Sequence, residues 1–214
     1  MAISPDTRKE VFADGGEQRL VRLGAGPVNY WITFVSDPLT VVFFIVWELA
    51  ILRTNLFLLA AEYAVGLLGW SLLEYVGHRW LYHKGRTPAH AGHRIHHQSP
   101  EMLIAMPWFV VTALFMSLWY FLSYRLQIPF ISGLLAGLLT GFVLYGLFHH
   151  IIHHHFHFRN SWYRRLRSQH FIHHQFPNVN FGVTNRFWDH VFGTTFSRER
   201  TKPSVPASRQ SIDY

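Results

Sequence analysis

Long apolar runs, separated by short polar breaks, dominate the chain from residue 38 to residue 148. An α-helix rises about 1.5 Å per residue, so roughly 20 apolar residues cross the ~30 Å core of a bilayer. Four runs come close to this length, and each is bounded by charged or turn-forming residues. The pattern therefore predicts an all-α integral membrane protein with about four transmembrane helices, at residues 38–52, 56–76, 103–124 and 129–148.

The run at residues 38–52 is the shortest of the four. Asp37 is suited to cap it and Pro38 to occupy its first helical position, since proline is favoured in the first turn. A helix of this length covers only about 22 Å of the bilayer core. We expect it either to thin the bilayer or to form a tight hairpin with the next span.

The order of the spans returns the chain to one side of the membrane at every histidine motif. Of the 19 lysines and arginines, all except Arg53 and Arg125 lie on this side, which the positive-inside rule assigns to the cytoplasm. The sequence thus predicts two transmembrane hairpins and a cytosolic helical cap that holds the histidines, with both termini on the same side. A bacterial inner membrane is the expected location.

This topology divides the chain into three segments. We expect a cytosolic N-terminal segment at residues 1–30, a transmembrane domain with its histidine cap at 31–195, and a disordered polar tail at 196–214. The N-terminus lacks the apolar core of a secretory signal peptide and is expected to be retained. The net charge of +7 follows from membrane orientation, and it does not indicate nucleic acid as a partner.

Candidate chemistry is concentrated in 16 histidines, all of which lie between residues 78 and 190. The chain has no cysteine, which excludes disulfides, thiolate metal sites and iron–sulfur clusters. Any metal ion must therefore be bound through nitrogen and oxygen. A single histidine at a membrane interface usually forms hydrogen bonds and binds no metal ion. Several clusters of histidines spaced along one face of a helix instead indicate metal ligands.

Most of these histidines are spaced so that neighbours in sequence lie on the same face of a helix. Positions i, i+3 and i+4 share a helix face, so the three histidines of HRIHH at 93–97 can converge on a point. The three histidines of HFIHH at 170–174 can do the same, and His149 and His153 stand at i, i+4. These groups are the candidate ligands of a metal centre.

His78 and His83 are spaced differently, at i, i+5. On an ideal helix they lie about 140° apart and need not bind the same ion, which suits two separate ions. Ten ligands would supply about five to each of two ions and leave an open position, as in redox sites that bind oxygen. We therefore predict a non-haem diiron centre, in which zinc can replace ferrous iron during purification because it binds more tightly.

Five motifs resemble those of the integral-membrane fatty acid hydroxylase and sterol desaturase superfamily: HRWLYH (78–83), HRIHH (93–97), HHIIHH (149–154), HFIHH (170–174) and NFGVTNRFWDHVFGT (180–194). The last looks most like the fatty acid 2-hydroxylase branch. The resemblance implies 2-hydroxylation of a fatty acid or sphingolipid acyl chain with O2 and two external electrons. It also implies a dimetal centre held by ten residues: His78, His83, His93, His96, His97, His149, His153, His170, His173 and His174.

Several alternatives remain open at the level of the sequence. Sterol or lipid desaturation and carotenoid hydroxylation belong to the same superfamily. A metal transporter is the alternative from another class, although transport sites usually lie near the bilayer midplane, where these spans carry no histidine. Glu74, one helical turn before His78, and Asp189 are expected to accept N–H bonds from the imidazoles.

The expected partners are a lipid substrate, the surrounding membrane lipids and a source of electrons. The sequence has no dinucleotide fingerprint and no cysteine for a cluster, so we expect a separate donor, either a cytochrome b5-like protein or a ferredoxin. The basic stretch RNSWYRRLR at 159–167 is suited to an acidic donor and equally to anionic lipid headgroups.

Overall fold

The computed structural model describes residues 17–155 and 160–197, which form helices joined by short turns. Within these residues no β-strand forms, and an isolated antiparallel bridge joins Ala25 to Ile104. The α-helices are α1 (Glu17–Gly24), α2 (Pro27–Val46), α3 (Leu56–Val76), α4 (Pro88–Gln98), α5 (Trp108–Trp119), α6 (Ile131–His154), α7 (Ser161–Gln175) and α8 (Phe187–Val191). Three of them, α2, α3 and α5, continue into a π-helical turn, at Trp47–Ile51, Gly77–Tyr82 and Tyr120–Arg125.

In the part of the chain that the structure describes, three helices are long and apolar enough to cross a membrane. Counted with their π-helical turns, they are Pro27–Ile51, Leu56–Tyr82 and Ile131–His154. The all-helical class is thus confirmed. The span predicted at 56–76 lies within the second of these helices, and the span predicted at 129–148 coincides with the third from residue 131 onward. The helix in the predicted third span, α5, is shorter than expected because it begins at Trp108. It is not one of the three described helices that meet the length and hydropathy needed to cross a membrane.

The first span begins earlier than the sequence predicted. Gly26 caps α2 with a φ of 137°, and Pro27 stands in the first turn, so Pro38 lies inside the helix. Asp37 does not cap a helix; it is buried and its Oδ1 accepts a hydrogen bond from Thr112 at 3.4 Å. The polar residues between 29 and 37 concealed this part of the span, because several of them face protein and not lipid. The result is a helix of 25 residues that needs no thinning of the bilayer.

Helices α3 and α6 form the closest packed pair in the membrane region. A Cβ on Gly66 would clash with the carbonyl oxygen of Leu134, and a Cβ on Gly137 would clash with the carbonyl oxygen of Tyr63. Small residues at a helix crossing let two backbones approach, which is how membrane helices commonly associate. This contact fixes the two spans that end at the histidine motifs.

The remaining helices pack onto this pair. Helices α2 and α5 cover α6 through a cluster of buried side chains that includes Phe44, Trp119 and Leu139. At the histidine end, α1 packs against α4, and α7 packs on the last turns of α6 through Ile152 and Leu166. The predicted tail lies outside the described residues from 198 onward, as does most of the predicted segment 1–30.

Candidate metal centre

The ten predicted histidines gather at one end of the helix bundle. Helices α4, α6 and α7 supply eight of them, and the π-helical turn that ends α3 supplies His78 and, directly after it, His83. The ligand nitrogens within each group lie no more than 4.8 Å apart. Among the histidines that the structure describes, two groups of five form. Group A contains His78, His83, His93, His97 and His173, and group B contains His96, His149, His153, His170 and His174.

The triplets of α4 and α7 divide between the two groups. His93 and His97 belong to group A, while His96, between them in sequence, belongs to group B. On α7, His173 joins group A and its neighbours at i−3 and i+1 join group B. The expectation that each triplet converges on one point is therefore corrected. Helices α4 and α7 each lie between the two groups, and each directs histidines from one edge into group A and from the other edge into group B.

His78 and His83 lie in the same group, unlike the expectation from an ideal helix. The segment Gly77–Tyr82 is π-helical, and a π-helix repeats at i+5, which turns the two rings onto one face. Their ring centroids are 5.1 Å apart and the planes differ by 29°. The π-helical turn was the feature that sequence spacing alone did not reveal.

The distances between nitrogens indicate a shared cation in group A. The Nε2 atom of His93 lies 3.1 Å from that of His78, 3.0 Å from that of His83 and 3.1 Å from that of His97. One ring nitrogen carries at most one proton, so three such contacts cannot all be N–H···N hydrogen bonds. Nitrogens that each bind an ion at about 2.1 Å lie about 3.0 Å apart at right angles and about 3.4 Å apart in a tetrahedron. The arrangement therefore fits a metal ion of higher coordination number than four.

The imidazole nitrogens of group B lie as close together as those of group A. The Nε2 atom of His174 lies 3.1 Å from those of His96 and His170, and the Nε2 atoms of His153 and His170 are 2.8 Å apart. The buried Nε2 of His149 has no hydrogen-bond partner among the described residues. A buried polar atom without a partner is costly, and a metal ion would satisfy it. Both groups thus fit metal ions by the chemistry and spacing of their donors.

Backbone carbonyls hold two of the group A rings in place. The Nδ1 atom of His173 donates to the carbonyl oxygen of Val179 at 2.8 Å, and the Nδ1 atom of His78 donates to that of Phe181. A neutral imidazole that donates from Nδ1 has a lone pair on Nε2, which is the form that binds metal. The loop at 179–184 therefore sets both the tautomer and the orientation of these ligands.

Burial keeps the imidazoles of the cap neutral. Desolvation lowers the pKa of His173 to about 3, even though its bond to Val179 acts in the opposite direction. It also lowers the pKa of His83 to about 4, with a further contribution from nearby His97. The pKa values of His96 and His170 fall well below their usual range for the same reason, aided by surrounding histidines. At neutral pH each of these side chains is therefore uncharged, with one N–H group and one nitrogen lone pair that can bind a metal ion.

Glu74 and Asp189 support the candidate metal site through the backbone, and neither forms a hydrogen bond with an imidazole of the described residues, which corrects their expected role. Glu74 Oε1 accepts from the amides of Val183 and Thr184 at 2.7 and 2.9 Å, and Oε2 accepts from the Thr184 hydroxyl. Asp189 accepts from the Phe181 and Gly182 amides, both at 2.8 Å, and from Thr194. The two buried carboxylates fold the loop whose carbonyls hold His78 and His173.

The other described histidines lie outside both groups. His150 Nδ1 is 3.0 Å from the hydroxyl of Tyr30, which ties α6 to α2. His90 Nδ1 donates to the carbonyl oxygen of Tyr82 at 2.6 Å and so anchors α4 beside the π-helical turn. His157 lies outside the described residues. Neither partner could be predicted from the sequence, because a backbone carbonyl carries no residue preference and Tyr30 lies 120 residues from His150.

A partly open, mainly apolar cavity of about 150 Å³ adjoins the histidines. His93, His96 and His149 line it on the metal side, and Tyr30 and Phe34 line it along α2; farther into the membrane region it reaches Asp37, Val111 and Phe142. Seven residues of helix, about 10 Å, separate Tyr30 from Asp37. The cavity therefore extends from the candidate metal centre between the spans.

The comparisons with known proteins agree with this geometry. A family model described as "Fatty acid hydroxylase" matches residues 63–194, which include all ten histidines. The chain belongs to the fatty acid hydroxylase family. The superfamily resemblance seen in the motifs is thereby confirmed, and the segment matched also contains the loop at 179–184 and both carboxylates that fold it.

Two individual members of the fatty acid hydroxylase family support the 2-hydroxylase-like branch. Dihydroceramide fatty acyl 2-hydroxylase FAH2 of Arabidopsis thaliana is 31% identical over 140 residues, which cover 61% of this chain and 59% of that protein. The chain thus spans about three fifths of the length of this curated relative. A solved structure described as "Full length scs7p (only hydroxylase domain visible)" superposes with a TM-score of 0.67 at 29% identity, covering 82% of this chain and 69% of that one.

Proposed function

We propose that this protein is a membrane-bound non-haem diiron oxygenase that hydroxylates a lipid acyl chain at the carbon next to its carbonyl. The observation that carries the proposal is the position of an apolar cavity directly against two groups of five histidines. The family membership and the 2-hydroxylase named among the relatives support the same reaction. The substrate is proposed to be a fatty acid or a sphingolipid.

Group A and group B would each hold one iron ion. When bound, iron activates O2 for the oxidation of an unactivated C–H bond. In the overall reaction, one oxygen atom replaces hydrogen by a hydroxyl group, and two electrons and two protons reduce the other atom to water. The donor spacing near 3.0 Å favours iron over closed tetrahedral zinc, although zinc competes in purified protein because of its higher affinity.

The chain's own residues position the substrate and exclude water. Apolar and aromatic walls, including Phe34, Phe142 and Val111, would enclose the acyl tail between the spans. Residues of α1 and α4, such as Val21 and Pro88, line the cavity on the cap side, where a polar headgroup would lie at the interface. An acyl chain held in this way presents the carbons nearest its head to His93, His96 and His149. This supports oxidation at position 2 rather than in the middle of the chain.

The proposed membrane topology follows from the charges and from the ends of the helices. Because α3 and α6 both end at the histidines, the chain between them must return through the bilayer along α5, which would make the fourth crossing. The positive-inside rule supports a cytoplasmic position for the histidines and the termini. A bacterial inner membrane remains a prediction from the sequence, and the relative named above is a plant protein.

Lipid mass spectrometry on cells tests the proposal. Cells that express the protein under air should contain a fatty acid or sphingolipid species with one additional oxygen, and cells that express His96→Ala should lack it. Fragmentation should locate the hydroxyl at carbon 2. Loss of two hydrogens in the same comparison would identify a desaturase and contradict the proposal, and so would an unchanged lipid profile in cells whose protein contains metal.

A further inference from the structure

Helix α7 carries a basic groove on the face opposite its metal ligands. Arg164, Arg165 and Arg186 line this groove of about 540 Å³, together with Gln169 and Asn180. Arg164 and Arg165 are exposed, and within the described part of the chain no carboxylate forms an ion pair with them. The Oε1 atom of Gln169 is buried and has no hydrogen-bond partner among the same residues. The groove therefore offers positive charge and an unsatisfied polar group.

The groove faces away from the membrane. Residues of a helix are spaced by about 100°, which places Arg164, Arg165 and Ser168 opposite the buried His170 and His173. The buried face of α7 rests on the end of α6, around Ile152, where that span leaves the membrane region. The opposite face is accordingly directed into the aqueous phase, where a soluble protein reaches it more readily than a lipid headgroup.

The floor of the groove is connected to both histidine groups. Gln169 directly precedes His170 of group B, and its carbonyl oxygen accepts a hydrogen bond from Asn180 Nδ2 at 3.4 Å. Asn180 lies between Val179 and Phe181, whose carbonyls accept from His173 and His78 of group A. Since the groove and the ligands occupy two sides of one helix, the diameter of that helix, about 10 Å, separates them.

We propose that this groove is the docking site of an acidic one-electron carrier protein, and that electrons enter the metal centre through α7 and the loop at 179–184. The inference rests on the proposed oxygenase function, which consumes two electrons in each turnover. A reduced carrier would bind, transfer one electron and leave oxidised, and a second carrier would supply the other electron. Complementary charge accelerates such transient encounters and makes them sensitive to salt.

Binding of a carrier to the metal-free protein tests the docking site without relying on activity. The full chain is placed in nanodiscs of neutral phosphatidylcholine, and the probes are an acidic [2Fe–2S] ferredoxin and the soluble haem domain of a cytochrome b5. The variant Arg164→Glu/Arg165→Glu should weaken binding of at least one probe about tenfold or more at low salt and flatten the salt dependence. The control Lys84→Glu/Arg86→Glu makes the same charge change at exposed positions of the cap and should alter binding by less than about threefold.

The alternatives give different results in the same experiment. Equal weakening by both double variants would mean that only the overall charge of this membrane face matters, and it would overturn the docking site. Binding that is unchanged by Arg164→Glu/Arg165→Glu would also overturn it. If that variant instead loses activity only in nanodiscs that contain phosphatidylglycerol, with carrier binding unchanged, the groove holds an anionic headgroup.

Turnover with a chemical reductant separates this inference from the proposed function. The iron-loaded Arg164→Glu/Arg165→Glu variant should oxidise lipid normally when dithionite and a small mediator supply the electrons, yet reoxidise the reduced carrier slowly under air. Loss of both activities would show that the substitutions damage the metal centre and would overturn the docking role. Absence of lipid oxidation in the wild-type protein with either reductant, while carrier binding remains selective for the groove, would instead contradict the proposed function alone.

Discussion

His78 and His83 lie five residues apart, yet their rings stack at a centroid distance of 5.1 Å within one group of candidate ligands. The π-helical segment Gly77–Tyr82 brings them together, because its repeat is longer by one residue than that of an α-helix. Isolated π-helical turns are rare and occur frequently at functional sites. Here the turn allows the helix that begins at Leu56 to bring two candidate ligands, His78 and His83, into the same group.

Metal content should reveal this pairing. We expect the wild-type protein to bind about two metal ions per chain, and both His78→Ala and the double variant His78→Ala/His83→Ala to retain about one, since both residues belong to group A. The combination His78→Ala/His96→Ala should retain almost none, because it affects both groups. Elemental analysis of the purified proteins measures this directly. Retention of about one ion by the last variant would contradict the division into two groups.

Glu74 should control metal affinity without touching a ligand. Glu74→Ala removes the acceptor of the Val183 and Thr184 amides, which costs about 3 kcal/mol or more and frees the loop that orients His78. We expect metal affinity in group A to fall about 10–100-fold, while group B retains its ion. Glu74→Gln keeps an oxygen for the two amides and should lose much less. Competition with a chromogenic chelator measures both affinities, and equal loss from the two variants would contradict the role of the loop.

Close packing of α3 against α6 should make the protein less stable when either of two glycines is replaced by alanine. Gly66→Ala and Gly137→Ala each force a methyl group against a backbone carbonyl oxygen, which costs about 1–3 kcal/mol. Gly69→Ala is the matched control, since a Cβ there would make ordinary contact with Leu138 at 3.5 Å. Thermal unfolding in detergent should show a lower midpoint for the first two variants and little change for the third. Similar midpoints for all three would contradict the close approach of α3 and α6.

The metal-free protein should lose stability in mild acid. The pKa of buried His173 is lowered to about 3, below the value near 6.5 that histidine has in an unfolded chain. Between these two values the unfolded state binds more protons, so stability is full above about pH 6.5 and is lost as pH falls towards 3. A fully buried histidine contributes up to about 1.4 kcal/mol per pH unit in that window. A thermal midpoint that stays constant from pH 7 to pH 4 would contradict the neutral, buried state of the cap histidines.

Much of this organisation was predictable from the sequence. Apolar runs located three of the spans, and histidine spacing together with the family motifs identified the ten residues that lie together. The start of α2 was missed because polar residues such as Asn29 and Tyr30 interrupt the apolar pattern while bonding to other parts of the protein. Sequence distance also could not show which histidine joins which group, since that depends on the π-helical turn and on how α4 and α7 face each other.

The most direct test of the central claim is isotope labelling with the purified protein. The iron-loaded chain is given a lipid substrate, a reductant and ¹⁸O2, and the product is analysed by mass spectrometry. We predict one ¹⁸O atom at carbon 2 of the acyl chain, with none in the matched reaction of His96→Ala. A product whose new oxygen comes from water, or a chain that loses two hydrogens and gains no oxygen, would contradict the assignment as a lipid hydroxylase.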